Sequence, residues 1–166
     1  GLLSVEGSYN SGKEDGVWTY WYPSGQKEKV VNYKNGWWNG KLERWFLNGQ
    51  KMEDLSYKEQ IPVGNWKYWF KNGQLKEERN YENGISSGDW VQYYSNGFMK
   101  HKLYYVSGQE DGKWVYWYNN GQKKEEKNFV ISCYKCNNKK KDILWEIEKI
   151  KYPLNNNKIT ELKKKD

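Results

Sequence analysis

Cys133-Tyr-Lys-Cys136 has the spacing of half a tetrahedral zinc site, and the neighbouring lysine could lower a thiol pKa far enough for redox work. The chain completes neither chemistry. No second Cys or His pair supplies the missing ligands, and no strand-to-helix context of the thioredoxin kind surrounds the pair, so free thiols, or a local disulfide on oxidation, are expected. His101, the single histidine, stands in a charged segment whose counterparts carry Glu77 and Glu125, and it reads as a solvated edge residue rather than a general base. Glu77, Glu78, Glu125 and Glu126 have the adjacency of paired catalytic carboxylates. Their regular placement on an exposed segment marks them as surface charge. The 11 Trp and 15 Tyr could stack on sugars or on single-stranded bases, but rings that recur in register are what a thin sheet needs in order to bury anything. No catalytic residue, metal-ligand set or cofactor is assigned.

These residues sit in an array of copies of Gly64-Asn-Trp-Lys-Tyr-Trp-Phe-Lys-Asn-Gly-Gln-Leu-Lys-Glu-Glu-Arg-Asn-Tyr-Glu-Asn-Gly84. Gly16, Gly40, Gly64, Gly88 and Gly112 stand 24 residues apart, and Gly25, Gly49, Gly73, Gly97 and Gly121 follow in step. A fixed period without slippage means one supersecondary unit stacked on itself. Trp66 to Phe70 is short, aromatic and free of helix formers, and Lys71-Asn-Gly-Gln74 carries the Asn-Gly hairpin signal. Each unit therefore reads as strand, tight turn, strand. The fold class expected is all-β: a single-layer, elongated, twisted antiparallel sheet of stacked hairpins.

Comparing units within the chain separates scaffold from surface. The fifth residue after the unit glycine is Trp21, Trp45, Trp69, Tyr93 or Trp117, and the sixth is Tyr22, Phe46, Phe70, Tyr94 or Tyr118. Because consecutive strand residues point to opposite faces, each face carries an aromatic column. Trp69 is expected to be buried between units and Arg44 exposed. The second strand ends on a ring, as in Tyr33, Tyr57, Tyr81 and Tyr105, placed to pack beside the tryptophans. Linking turns are Ser11-Gly12, Asn35-Gly36, Asn83-Gly84 and Ser107-Gly108. The third unit instead has Glu59-Gln-Ile-Pro-Val63, where Pro62 removes a ladder donor and an irregular connection is expected.

Residues 1–132 form the array, a half repeat followed by five units, and because it starts mid-unit further repeats or a cap are expected upstream. Residues 133–166 form a divergent Lys-rich C-terminal cap, read as a hairpin, with a helix burying Ile143, Ile147 and Ile150 as the alternative. That tail holds 10 lysines and 5 acidic residues, so +5 of the +7 net charge lies there. The repeats lack the basic stripe of a nucleic-acid-binding face. No apolar run is long enough to cross a bilayer, and two cysteines do not set the compartment; a cytoplasmic location is preferred, with a surface or secreted one open.

The pattern G-x-W-x-x-[WY]-[YF]-x-x-G-Q, followed by a charged strand, an aromatic and a glycine turn, resembles the MORN repeat family over about Val5 to Ser132. It is similar to the bacterial variant found in YwqK-like antitoxin proteins. The resemblance implies hairpins side by side in a long single-layer sheet, a role in protein contact and, for some members, membrane association. The chain departs from the pattern at Leu42, where a tryptophan is lost, at Phe98 and His101, and throughout the tail.

The fourth residue of the unit varies most in chemistry: Tyr20, Arg44, Tyr68, Gln92, Tyr116. Scaffold positions meet the same neighbours in every unit, whereas a surface touching one asymmetric partner does not. These five residues, with Trp66 and Trp90 beside them, are therefore the expected partner-binding face. The expected function is a non-enzymatic protein-binding scaffold that occludes a partner, a toxin among the candidates, with peripheral membrane or acidic-surface binding through the tail as the alternative.

Overall fold

The computed structural model describes residues 4–129, and every regular element among them is a strand. The expected cap, with Cys133 and Cys136, lies outside the described residues. The strands are β1 (Val5–Asn10), β2 (Lys13–Trp21), β3 (Lys27–Lys34), β4 (Trp37–Trp45), β5 (Lys51–Lys58), β6 (Ile61–Pro62), β7 (Gly64–Trp69) and β8 (Leu75–Glu82). They continue as β9 (Ile85–Tyr93), β10 (Met99–Val106), β11 (Gln109–Glu110), β12 (Gly112–Trp117) and β13 (Lys123–Phe129). All pair antiparallel with their sequence neighbours in one open sheet. Two lines across it are interrupted: β6 and β7 both pair with β5, and β11 and β12 both pair with β10. Eleven lines at about 4.8 Å give a strip roughly 48 Å long, in keeping with the single-layer expectation.

Two turn chemistries alternate along the strip. Within a unit, Gly73 N–H donates to Phe70 O at 2.9 Å and Phe70 N–H to Gln74 O at 2.8 Å, and only the glycine has positive φ. That is a three-residue loop closed by a glycine bulge, rather than the two-residue turn that the Asn-Gly signal suggests. Asn72 caps it from within, accepting from Gln74 N at 3.1 Å, and donates to Ser95 O of the next unit at 2.8 Å. Asn48 and Asn96 repeat the second bond, so one edge of the strip is tied unit to unit. The linking turns are the two-residue type, with both central residues at positive φ.

Glu59-Gln60 takes the same turn with no glycine, at φ 51 and 64. The turn itself is therefore regular, and the irregularity expected in this connection falls at Val63, where the line is interrupted between β6 and β7. Pairing of Lys58 with Ile61 and of Tyr57 with Pro62 imposes the geometry from the strands. Outside bonds then hold it: Gln60 N–H donates to Trp38 O at 2.8 Å and Glu59 N–H to Asn39 Oδ1 at 3.4 Å. The break at Val63 does not come from proline alone, since the same break falls at Asp111.

Both breaks mark a feature present in all five units. On entry to each unit the pairing slips by two residues, as between Val31↔Leu42 and Tyr33↔Trp38. The unit glycines lie in these bulges, Gly40 reaching φ 116, which only glycine adopts without strain. A second slip, of one residue, precedes each hairpin loop, as between Tyr68↔Glu77 and Trp69↔Leu75.

Apolar burial lies mainly on one face, although Val91, 7% exposed, is buried on the other. Trp18, Val31, Leu42, Leu55 and Trp66 form one cluster, each at most 8% exposed, with Tyr20, Tyr33, Trp38, Tyr57, Tyr68 and Tyr81 packed against it. The strand-end tyrosines stack beside the tryptophans: Tyr57–Trp66 centroids are 4.9 Å apart and Trp66–Tyr81 4.8 Å, contacts worth about 0.5–1.5 kcal/mol each beyond burial. Where Leu42 replaces tryptophan, Trp38 lies against Tyr57 at 5.1 Å and continues the stack.

The scaffold column is thus the second position of the unit. Trp21, Trp45, Trp69 and Trp117 are only half-buried. They alternate to the opposite face, which carries ion pairs such as Lys51–Glu43 at 2.6 Å and Lys67–Glu78 at 2.9 Å. Sequence alternation put rings on both faces correctly, but the expectation that Trp69 is buried between units is corrected: the covered set is the second position, where Trp66 is 8% exposed.

Candidate functional site

The fourth-position residues fall in a single row. Strand register pairs Tyr20 with Lys29, Lys29 with Arg44, Arg44 with Glu53 and Glu53 with Tyr68. It goes on through Glu77, Gln92, His101 and Tyr116 to Glu125 without a break. The row runs parallel to the apolar one on the same face, beside Trp66 and Trp90. Tyr20, Arg44, Tyr68, Gln92 and Tyr116 are all partly accessible; Trp66 is 8% exposed and Trp90 half-buried. Burial, with the neighbouring Tyr33 and Glu14 adding to it, pushes the Tyr20 hydroxyl up to about 12. Burial raises Tyr68 to about 12 as well, against the pull of Arg79. Both phenols keep their protons at neutral pH.

Between the third and fourth units the scaffold itself changes. Arg79 occupies the row where Val31, Leu55 and Leu103 stand in other units and Lys127 in the last, opposite both Trp66 and Trp90. Its Nε donates to Glu77 Oε1 and its guanidinium lies 4.3 Å from the Trp90 ring centroid. Glu77 is 5% exposed, which corrects its reading as surface charge. Trp90 Nε1 donates to Glu77 Oε1 at 2.9 Å and Gln92 Nε2 to Oε2 at 2.8 Å, so three donors compensate the buried carboxylate. Elsewhere the second-position indole donates to a carbonyl ten residues upstream, Trp18 to Ser8 at 3.1 Å and Trp66 to Ser56 at 2.9 Å. Trp90 leaves that pattern to reach Glu77.

His101 is not a solvated edge residue either. Its ring lies between Trp90 and Tyr116, with centroids 6.2 and 5.9 Å away, and its Nε2 is buried without a hydrogen-bond partner among the described residues. Burial and the nearby Lys100 lower its pKa, against the pull of Glu77. Below the unfolded value of about 6.5 the unfolded chain takes up a proton that the folded chain resists, so stability falls as pH drops through that value. The urea midpoint of the wild type should therefore fall further between pH 7.5 and 5.5 than that of His101→Gln. Equal falls would show a hydrated imidazole.

With its oxygens engaged by Arg79, Trp90 and Gln92, Glu77 is poorly placed to accept a substrate proton. Among the described residues no group of three or more His, Cys, Asp and Glu side chains could hold a metal ion. The arrangement offers a row of donors, rings and charges, suited to recognition. Against known families, three segments match, at residues 14–35, 62–83 and 110–130.

The match is to the MORN repeat variant. The three MORN-variant segments begin 48 residues apart and leave between them the units that carry Leu42 and the Gln92–His101 pair. MORN repeats suggest a protein-binding scaffold, with protein or membrane contact as their general role. No curated protein matches the chain.

The Glu77–Arg79 pair was missed by sequence reasoning although a signal was present. Arg79 is basic at a position that is Val31, Leu55 and Leu103 in three other copies, and only the last copy, with Lys127 beside Glu125, shares that character.

Proposed function

We propose that this chain is a non-enzymatic scaffold of the antitoxin or immunity kind, which occludes one partner protein against the face carrying Tyr20, Arg44, Tyr68, Gln92 and Tyr116, with Trp90 beside them and Trp66 beneath. The unbroken row from Tyr20 to Glu125 carries this reading, because a repeating scaffold there presents a sequence of side chains that does not repeat. Occlusion needs only a shaped face and a few anchors, and Tyr and Arg are enriched at interface hot spots.

Truncating Tyr68 and Tyr116 together to alanine should weaken binding of a co-purified partner by at least about tenfold, because hot-spot aromatics commonly cost about 2 kcal/mol or more each. Circular dichroism should be unchanged. Normal binding by that variant, with loss of binding on deletion of residues 133–166, would move the function to the tail. The tail's charge supports the second reading, attachment to an anionic membrane, at about 1 kcal/mol per basic residue near the surface. Salt-sensitive binding to anionic liposomes separates the two.

A further inference from the structure

Where the second-position tryptophan is lost, the recognition face has a groove of about 270 Å³. Leu42 and Leu55, 4% and 5% exposed, contribute apolar lining, and Tyr20, Trp38 and Tyr57 contribute rings. Trp38, four residues earlier on the same strand, continues the aromatic stack, and the groove lies beside it with Leu42 and Leu55 as its floor. The volume lies just under the about 300–1,000 Å³ typical of small-molecule sites and suits one large side chain.

Lys29 and Arg44, also lining the groove, stand directly opposite each other. Like charges so placed are destabilising. No other neighbouring pair in the row brings two cations together. Glu53 answers Arg44 at 3.6 Å, whereas the Lys29 ammonium lies 3.8 Å from the Tyr20 ring centroid and has no carboxylate partner among the described residues. The groove thus offers an apolar hole beside one unneutralised positive charge.

We propose that this groove receives a segment of a partner protein in which a large apolar side chain enters over Leu42 and Leu55 while a neighbouring Asp or Glu carboxylate binds Lys29 and Arg44. Glu28 and Glu53, which share the lining, disfavour a surface dense in phosphate and leave room for a single carboxylate. The inference rests on reading this face as protein-binding and names the chemistry of what it binds.

The test is selection of a random peptide library, displayed on phage, against the full chain. Enriched peptides are titrated as fluorescein conjugates by fluorescence polarisation. They should pair an aromatic or Leu with a nearby Asp or Glu, and bind Lys29→Glu and Leu42→Trp at least about tenfold more weakly. Lys29→Glu places a carboxylate opposite Arg44 and should melt at or above the wild-type urea midpoint, so its loss of binding cannot be loss of fold. Absence of enrichment, enrichment of peptides lacking an acid, or affinity unchanged in Lys29→Glu would overturn the proposal. So would phosphatidylserine vesicles binding with this variant dependence where peptides do not. If peptides fail while truncating Tyr68 and Tyr116 still weakens the partner, the groove inference alone falls. Acidic peptides lost in Lys29→Glu while that double truncation has no effect would uphold the groove without the wider face.

Discussion

Trp66→Ala is expected to lose about 3–5 kcal/mol in urea unfolding, the largest effect of any single ring, because a big cavity opens in a core only one layer thick. The indole is 8% exposed, stacks between Tyr57 and Tyr81, and donates to Ser56 O at 2.9 Å. Its removal strips two ring contacts and one of the two donors to that carbonyl, Val63 N–H at 3.0 Å being the other. Trp69→Ala, three residues on and on the opposite face, removes a half-buried ring and should cost under about 2 kcal/mol. Equal losses would show that both columns bear the sheet. A larger loss at Trp69 would reverse the two faces.

Glu77→Ala should cost about 3–5 kcal/mol, because it leaves a partly buried guanidinium uncompensated. It also removes the acceptor of Trp90 Nε1 and Gln92 Nε2. Adding Arg79→Leu to that variant restores the aliphatic residue seen at Val31, Leu55 and Leu103, and should recover much of the loss. A double-mutant cycle reads this directly as strongly non-additive stabilities. Additive losses would mean that Glu77 and Arg79 contribute separately and that the pair is an accident of proximity.

The 24-residue period, the hairpins and the single sheet were legible in the sequence, because glycine turns and paired rings recur without slippage. Which ring column is covered was not legible. Positions two and five are both aromatic, and in a single layer neither face is inside until packing decides. The strand-end tyrosines decide it: they pack across strands against the second-position tryptophans, as Tyr33 does with Trp18 and Tyr57 with Trp66. The bulges were hidden because a positive-φ glycine in a bulge and one in a turn look alike in sequence. Glu77 read as surface because it recurs with Glu78, Glu125 and Glu126 at regular places in a charged strand. Its burial follows from an arginine two residues on, in the same face and one position along the strand. The alignment of the fourth-position residues into one row depended on register, and the two slips per unit leave that row intact.

Side-chain footprinting by hydroxyl radicals, with and without the bound partner, tests most directly whether this face is the binding face, because it distinguishes the two sides of a sheet as amide exchange does not. Tyr20, Tyr68 and Tyr116 should be shielded in the complex, while Trp21, Trp45 and Trp117 on the opposite face react at their free rate. Shielding of the Trp21, Trp45 and Trp117 column with Tyr20, Tyr68 and Tyr116 unprotected would contradict the account.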